Sequence, residues 1–187
     1  YHLPVIEKWN EIKINKNIIS DDLLFTHIGI GGPAAYRASL YDLTDGLTLN
    51  LLPHINIMDA LVTAKHINGR RQLSNILSEY LPIRVARHFA QNNSQNIADI
   101  KNTELKQIVD AITKIQISGD KLKLHSMNNA EIVRGGVSTD DISSKTMESK
   151  LCKNLYFTGE ILDIAGDLGG YNLQWAWASG FVAGQNA

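Results

Sequence analysis

The sequence is poor in cysteine, in net charge and in long apolar runs, and each shortage excludes a class of protein. Cys152 is the single cysteine, so an intrachain disulfide framework and a cysteine-based zinc site are both excluded. Lysine and arginine number 18 against 19 acidic residues, which disfavours a dedicated nucleic-acid binder. No apolar run is long enough to span a bilayer, and no signal pattern opens the chain. We therefore expect a cytoplasmic protein with neither a membrane nor a nucleic acid as partner.

Histidine and arginine offer two further kinds of site. The six histidines, at positions 2, 27, 54, 66, 88 and 125, show no metal-ligand spacing, so no metal is expected. Four arginines make the middle of the chain locally basic: Arg70, Arg71, Arg84 and Arg87. A solvated face is the default interpretation, and a nucleic-acid-binding helical module is the alternative.

Three regions differ in their hydrophobic period. Up to about Pro53, short β-like runs at 11–14, 23–27 and 47–52 are separated by turn residues. From about Asn56 to Ile115 the period is helical, with stripes over 73–81, 83–90 and 105–112. Beyond these, 115–117 and 122–124 resemble a hairpin around Gly119-Asp120, and 130–133 resembles another strand.

A glycine-rich segment, Gly29-Ile30-Gly31-Gly32-Pro33-Ala34, matches the dinucleotide fingerprint in form. The acidic residue that should end the following strand is missing, because the run 47–52 ends in Pro53-His54. We favour a tight strand-to-helix turn in which Pro33 occupies the first helical position, where its missing N–H costs nothing.

The last third of the sequence is the most informative. A short buried strand is expected over Leu155–Thr158, ending at Gly159-Glu160, and the pair Gly169-Gly170 opens a helix that runs to about Gln185. Free backbone N–H groups and the helix dipole converge at such a place, which favours anionic or electron-accepting cofactors.

Several motifs occur together in a fixed order and carry a family resemblance. They are Leu24-Phe25-Thr26-His27 with Gly29, Gly32-Pro33-Ala34, Gly135-Gly136-Val137, Thr146-Met147-Glu148-Ser149-Lys150, Gly159-Glu160 with Asp163, and Gly169-Gly170-Tyr171-Asn172-Leu173-Gln174. The chain resembles the YhiN/BaiN-like family of NAD(P)/FAD-dependent oxidoreductases, over essentially its whole length.

The resemblance implies a mixed α+β and α/β fold that is part of a two-dinucleotide-fold flavoprotein. Residues 1–128 would be an insert domain, with a β-barrel part at about 1–54 and 115–128 and a helical part at about 55–114. Residues 129–187 would be the C-terminal strand–helix segment of the FAD-binding domain. The chain opens on Tyr1 in what resembles mid-domain sequence, so we expect a fragment that lacks the N-terminal Rossmann half.

The resemblance also implies a set of cofactor-binding residues, with no catalytic residue assigned. They are Gly135, Gly136, Gly159, Glu160, Asp163, Gly169, Gly170, Tyr171, Asn172 and Gln174. Glu160 would contact the ribityl or pyrophosphate side, and the segment from Gly169 would face the pyrimidine edge of the flavin. Each position has a structural alternative, such as helix capping for Asn172 or an ordinary turn for Gly135-Gly136.

The expected function is that of part of an FAD-dependent oxidoreductase, which moves hydride between NAD(P)H and an organic substrate. The alternative is a non-catalytic fragment or degenerate gene product that only packs or binds a partner. Without the N-terminal half, FAD binding by this chain alone would be impaired. An apolar surface at Trp175, Trp177 and Phe181 would then be left open, and self-association is expected.

Overall fold

The computed structural model describes residues 5–27, 29–90, 95–124 and 134–187, with side chains from residue 10 onward in the first range. The chain divides into two compact units, Tyr1–Lys123 and Leu124–Ala187. The assignment of these units to an insert and to a flavin-domain segment remains a prediction.

The N-terminal unit contains an antiparallel sheet whose strands lie in the order β3-β2-β1-β4-β5. The strands are β1 (Val5–Ile14), β2 (Asn17–Phe25), β3 (Ile30–Gly31), β4 (Leu47–Asn50) and β5 (Ile115–Ile117). Residues alternate between its faces, so that Ile12 and Ile14 are buried while Lys13 is exposed. In the described residues the sheet ends at β3 and β5, and closure into a barrel remains a prediction.

The α-helices described in this unit share its core, and the first and the last of them contact the sheet directly. They are α1 (Pro33–Ser39), α2 (Ile57–Ile67), α3 (Leu73–Leu77), α4 (Ile83–Phe89) and α5 (Asn102–Thr113). One continuous core joins sheet and helices, and it includes Leu23, Leu49, Leu61 and Leu105. The mixed α+β character expected from the change of period is confirmed in this unit.

The glycine-rich segment forms the turn that we favoured. Pro33 is the first residue of α1, and β3 pairs antiparallel with β2. A dinucleotide fold needs a parallel strand–helix–strand crossover at this point, so the fingerprint match is a chance one. Gly32 (φ 82°) lies so close to β2 that an added Cβ would be 3.2 Å from the Asp22 carbonyl oxygen.

The hairpin expected around Gly119-Asp120 is wrong. The strand at 115–117 is β5, which pairs with β4, and Gly119–Lys121 is a 3-10 helix. Long-range pairing replaces the local pairing because Gly119 packs directly on residues 43–44. The strand expected at 130–133 lies outside the described residues.

The helical stripes are confirmed in type but differ in extent. The stripe over 73–81 is interrupted, since α3 ends at Leu77, although Leu81 is still buried. Pro82 disfavours a continuous helix through Leu81, because a residue that precedes proline is disfavoured in the helical conformation. Ile83, expected in the core, is 53% exposed.

The C-terminal unit is built around α6 (Tyr171–Asn186), as the small-residue pattern predicted. The strand expected over Leu155–Thr158 is wrong. Tyr156 makes only an isolated bridge with Glu148, and Leu155 is 43% exposed. Short 3-10 helices occur at Thr139–Asp141 and Gly159–Ile161.

Within the described ranges, none of the helices has the length and apolar character needed to cross a membrane.

We predict that Gly119→Ala destabilises the protein by about 1–3 kcal/mol, the usual cost of overpacking a filled site. An added Cβ would lie 2.0 Å from the Thr44 carbonyl oxygen, which is backbone and cannot rotate away. Urea unfolding measures the change. The neighbouring Ser118→Ala is the control, because Ser118 is exposed. Equal stability of both variants would contradict the packing of this turn.

Candidate functional site

Gly159 is held from both sides of its peptide by α6. Its N–H donates a hydrogen bond of 2.9 Å to Ser179 Oγ, and its carbonyl oxygen accepts one of 3.1 Å from Trp175 Nε1. The Ser179 hydroxyl in turn donates to the Trp175 carbonyl oxygen at 2.7 Å. Ser179 is buried, so these bonds are shielded from water. We call Gly159, Trp175 and Ser179 the glycine clamp.

The glycine clamp depends on the special backbone of Gly159. Its φ of 67° lies in the left-handed region, where a side chain is strained. Its α-carbon also faces Ala176, at ordinary van der Waals distance from an added Cβ. The glycine therefore brings the start of the 159–161 turn onto α6.

Glu160, the next residue, is exposed, and the described part of the chain supplies no hydrogen-bond or ion-pair partner for its carboxylate. A carboxylate placed directly after a rigidly held glycine is well positioned to accept hydrogen bonds from ligand hydroxyls. The glycine clamp thus fixes the backbone at Gly159 and leaves the carboxylate of Glu160 free to accept hydrogen bonds.

The Gly135-Gly136-Val137 segment runs beside the end of this turn. Val137 and Leu162 form a parallel bridge, in which the Val137 N–H donates to the Ile161 carbonyl oxygen at 2.8 Å. Asp163 completes the contact, because its Oδ1 accepts a 3.0 Å hydrogen bond from the Gly135 N–H. The structure therefore brings Gly135, Gly136 and Asp163 together, as well as placing them next to the Gly159–Ile161 turn.

The two glycines of this segment differ in their surroundings. An added Cβ at Gly136 would lie 2.5 Å from the Ile161 carbonyl oxygen, so packing alone requires glycine there. At Gly135 (φ 102°) no atom of the described residues lies within 4 Å of an added Cβ. Gly135 therefore presents bare backbone on an accessible side, as a ligand-contacting glycine would.

A second open glycine pair begins α6. Gly170 (φ 87°) is the N-cap residue and provides no side-chain cap. An added Cβ there would meet nothing within 4 Å in the part of the chain that the structure describes. Gly169 (φ 110°) is similarly open, with only the edge of the Tyr171 ring nearby. The first N–H groups of a 16-residue helix are thus left without a capping side chain.

Asn172 does not cap α6. Its Oδ1 accepts a 2.7 Å hydrogen bond from the Gly166 N–H, which closes the loop that leads into the helix. Gly166 also packs tightly on Tyr171. A Cβ added at Gly166 would lie 2.7 Å from the Cβ of Tyr171. Tyr171 is 62% exposed, and Gln174 is exposed too. Asn172 therefore holds the loop, whereas Tyr171 and Gln174 remain available at the surface.

The Thr146–Lys150 motif has a structural part in this unit. Met147 is buried with a φ of 63°, an unusual conformation for a bulky residue. The Glu148 carboxylate accepts a 2.9 Å hydrogen bond from the Asn154 N–H, and Asn154 also has a positive φ of 60°. Met147 and Glu148 thus both take part in a tight turn of the chain.

Sequence reasoning missed the residues that hold the site in place: Ser179, Gly166 and the indole nitrogen of Trp175. A signal for Ser179 was present, because a serine on the small-residue face of a helix can reach a neighbouring backbone N–H. The bonds themselves join residues 16 and 20 apart, and a periodic pattern does not specify such contacts.

In the described ranges, no three histidine, cysteine or acidic side chains come together as a metal site would require. Cys152 is exposed.

Comparison with known proteins identifies the family. The profile of the HI0933-like protein Rossmann domain matches residues 40–186, which is most of the chain. The chain belongs to this family, the YhiN/BaiN-like flavoproteins, as its motifs predicted.

Three curated relatives show how far the similarity extends. The ribosomal RNA dihydrouridine synthase of Haemophilus influenzae is 38% identical over 87% of this chain and 41% of its own length. The protein of the same name from Escherichia coli is 33% identical over 92% of this chain and 44% of its own. The 3-dehydro-bile acid delta(4,6)-reductase of Clostridium scindens is 49% identical over 34% of this chain and 15% of its own. The chain thus spans about two fifths of the length of the first two relatives.

We predict that Ser179→Ala destabilises the protein by about 1–3 kcal/mol, because the buried Gly159 N–H would lose its acceptor. Gly180→Ala is the matched control on the same helix. Gly180 is exposed with open space around it, so alanine there should stabilise by up to about 1 kcal/mol through helix propensity. Thermal unfolding of both variants measures the difference, and a neutral Ser179→Ala would argue against the clamp.

Proposed function

We propose that this chain is the flavin-ring and ribityl side of an FAD-dependent reductase that saturates a carbon–carbon double bond in ribosomal RNA. The cofactor assignment rests on one observation. The turn held by the glycine clamp occurs in the same unit as three glycines whose backbone is open. Gly135, Gly169 and Gly170 expose backbone where an added Cβ would meet no packing within 3.5 Å. Their positive φ angles already favour glycine, and the bare backbone that results on an open side would allow the close approach of a planar cofactor.

The charge distribution of a reduced flavin supports this use of α6. Negative charge gathers around N1 and the C2 carbonyl, and the uncapped N-terminus of α6 offers N–H groups and a positive dipole end. Glu160 would accept hydrogen bonds from ribityl hydroxyls, and Asp163 would keep the Gly135 backbone in place. When bound, FAD would supply the chemistry by relaying a hydride from NAD(P)H to the substrate.

The names of the relatives support the reaction class. A dihydrouridine synthase reduces the double bond of a uracil ring, and a delta(4,6)-reductase reduces double bonds in a steroid. In both cases a hydride adds to one carbon and a proton, ultimately from water, to the other. The two synthases align with most of this chain and the bile acid reductase with a third of it, so we propose uridine in ribosomal RNA as the substrate. This proposal departs from the expectation, based on net charge, that nucleic acid is no partner.

The rest of the flavin site would come from the remainder of the protein. We propose that an N-terminal Rossmann half completes it and also covers an apolar stripe on α6. Leu173, Trp177 and Phe181 recur every four residues along that helix and are 69%, 76% and 67% exposed. Left uncovered, this stripe would favour self-association. Under the alternative, a non-catalytic packing domain, these glycines would serve only the backbone conformation of their turns.

Removing the negative charge of Glu160 should weaken FAD binding without lowering the stability of the protein. In the whole protein we predict that Glu160→Gln lowers FAD affinity by about tenfold or more, since hydrogen bonds to charged groups are the stronger kind. Stability should stay within about 0.5 kcal/mol, because Glu160 is exposed. Glu104→Gln, an exposed acid on α5, is the control. Flavin fluorescence titration measures affinity, and unchanged binding would remove Glu160 from the site.

The reaction itself is tested with whole protein, NAD(P)H and an unmodified ribosomal RNA transcript. We expect flavin absorption in the purified protein, NAD(P)H oxidation, and uridine that gains two hydrogens by mass spectrometry. A 3-oxo steroid with conjugated double bonds serves as the comparison substrate. Reduction of the steroid alone would overturn the RNA assignment but keep the reductase. A colourless protein that oxidises no NAD(P)H would favour the non-catalytic alternative.

A further inference from the structure

Helix α4 presents a basic face that pairs with nothing in the described structure. Arg84, Arg87 and His88 are exposed, and exposed Ile83 lies beside them, since residues three and four apart share one side of a helix. The opposite side of α4 is anchored by Ala86, which is fully buried. The basic side chains therefore point away from the core.

The sequence around α4 lacks carboxylates. Between Glu79 and Asp99 the chain contains no acidic residue, in a protein whose net charge is only −1. In the described ranges no ion pair involves Arg84 or Arg87. By contrast, Arg37 pairs with Asp21, and Arg71 with Glu79. Positive and negative charges are thus nearly equal in number over the whole chain, whereas the charged side chains of α4 are all basic.

Helix stability does not explain this arrangement. Arg87 and His88 lie in the last turn of α4, where cations interact favourably with the helix dipole. Arg84 lies in the first turn, where the dipole disfavours a cation and an acidic residue would be stabilising. An arginine at this unfavourable position, exposed and unpaired, is better explained by an external anion than by the fold.

We propose that this α4 face, Ile83, Arg84, Arg87 and His88, contacts the phosphate backbone of the RNA substrate. The inference rests on the proposed function, because it takes the partner to be ribosomal RNA. Arginine matches phosphate geometry through its planar fork of donors, and backbone contacts orient a nucleic acid without reading its sequence. The face is a positioning surface, so it would affect RNA affinity and not the chemistry at the flavin.

The test uses the whole flavin-loaded protein with two matched double variants. Arg84→Gln/Arg87→Gln removes two charges from α4, and Lys101→Gln/Lys106→Gln removes two exposed charges around α5. Affinity for an unmodified ribosomal RNA transcript is measured across a range of salt. For the α4 variant we expect binding about tenfold weaker and a log–log salt slope shallower by about 1–2, as the loss of two phosphate contacts predicts. The KM for RNA should rise with little change in kcat, and the α5 variant should resemble wild type.

The outcomes separate this inference from the function on which it rests. If wild type reduces uridine in RNA and the α4 variant keeps its affinity and salt slope, the α4 surface is wrong and the function stands. If wild type neither binds nor reduces the RNA, both proposals fall. If the α4 variant loses RNA binding together with several degrees of thermal stability or its flavin absorption, α4 belongs to an internal interface and the inference is overturned.

Discussion

The glycine clamp is the interaction on which the candidate site depends. Two hydrogen bonds from one helix hold both polar groups of a single peptide residue, Gly159. Because Gly159 is fixed, the direction of the following turn is fixed, and with it the place where the Val137–Leu162 bridge and the Asp163–Gly135 bond can form. Without α6 this unit has little regular structure of its own to position these backbone segments. Helix α6 therefore has two roles. Its N-terminus provides the positive end of the helix dipole, and its side chains hold the Gly159–Ile161 turn in place.

The glycines of this unit have two different structural roles. Gly136 and Gly166 are required by tight packing, whereas Gly135, Gly169 and Gly170 face open space with positive φ. The first kind builds the loops and the second kind leaves backbone accessible. A site made of accessible backbone and a dipole would suit the proposed flavin, which carries its own reactive group.

Much of the fold could be predicted from periodicity, and the failures have identifiable causes. Helix α5 was predicted from a helical period that persists over several turns, and helix α6 from its small residues and the glycine pair that opens it. The hairpin at 115–124 failed because β5 pairs with β4, and pairing between distant segments leaves no local signal. At the site, the motif glycines could be named from the family resemblance, but Ser179 and the loop-closing role of Asn172 could not. Their roles depend on the relative placement of loop and helix, which only the folded chain defines.

The clamp is also local along the chain, and this has a consequence for how the C-terminal unit is made. Its bonds join residues separated by 16 and 20 positions, so the loop that must close is short. Short loops close at little entropic cost, and local contacts are gained early when a chain folds. The brace that orients the turn can therefore form as soon as α6 has been synthesised, before the sheet pairing of β4 with β5, some 67 residues apart on average, is needed (about 116 minus 49, from the Leu49↔Ile115 pairing). Order at the Gly159–Ile161 turn therefore comes first from its near neighbours in sequence.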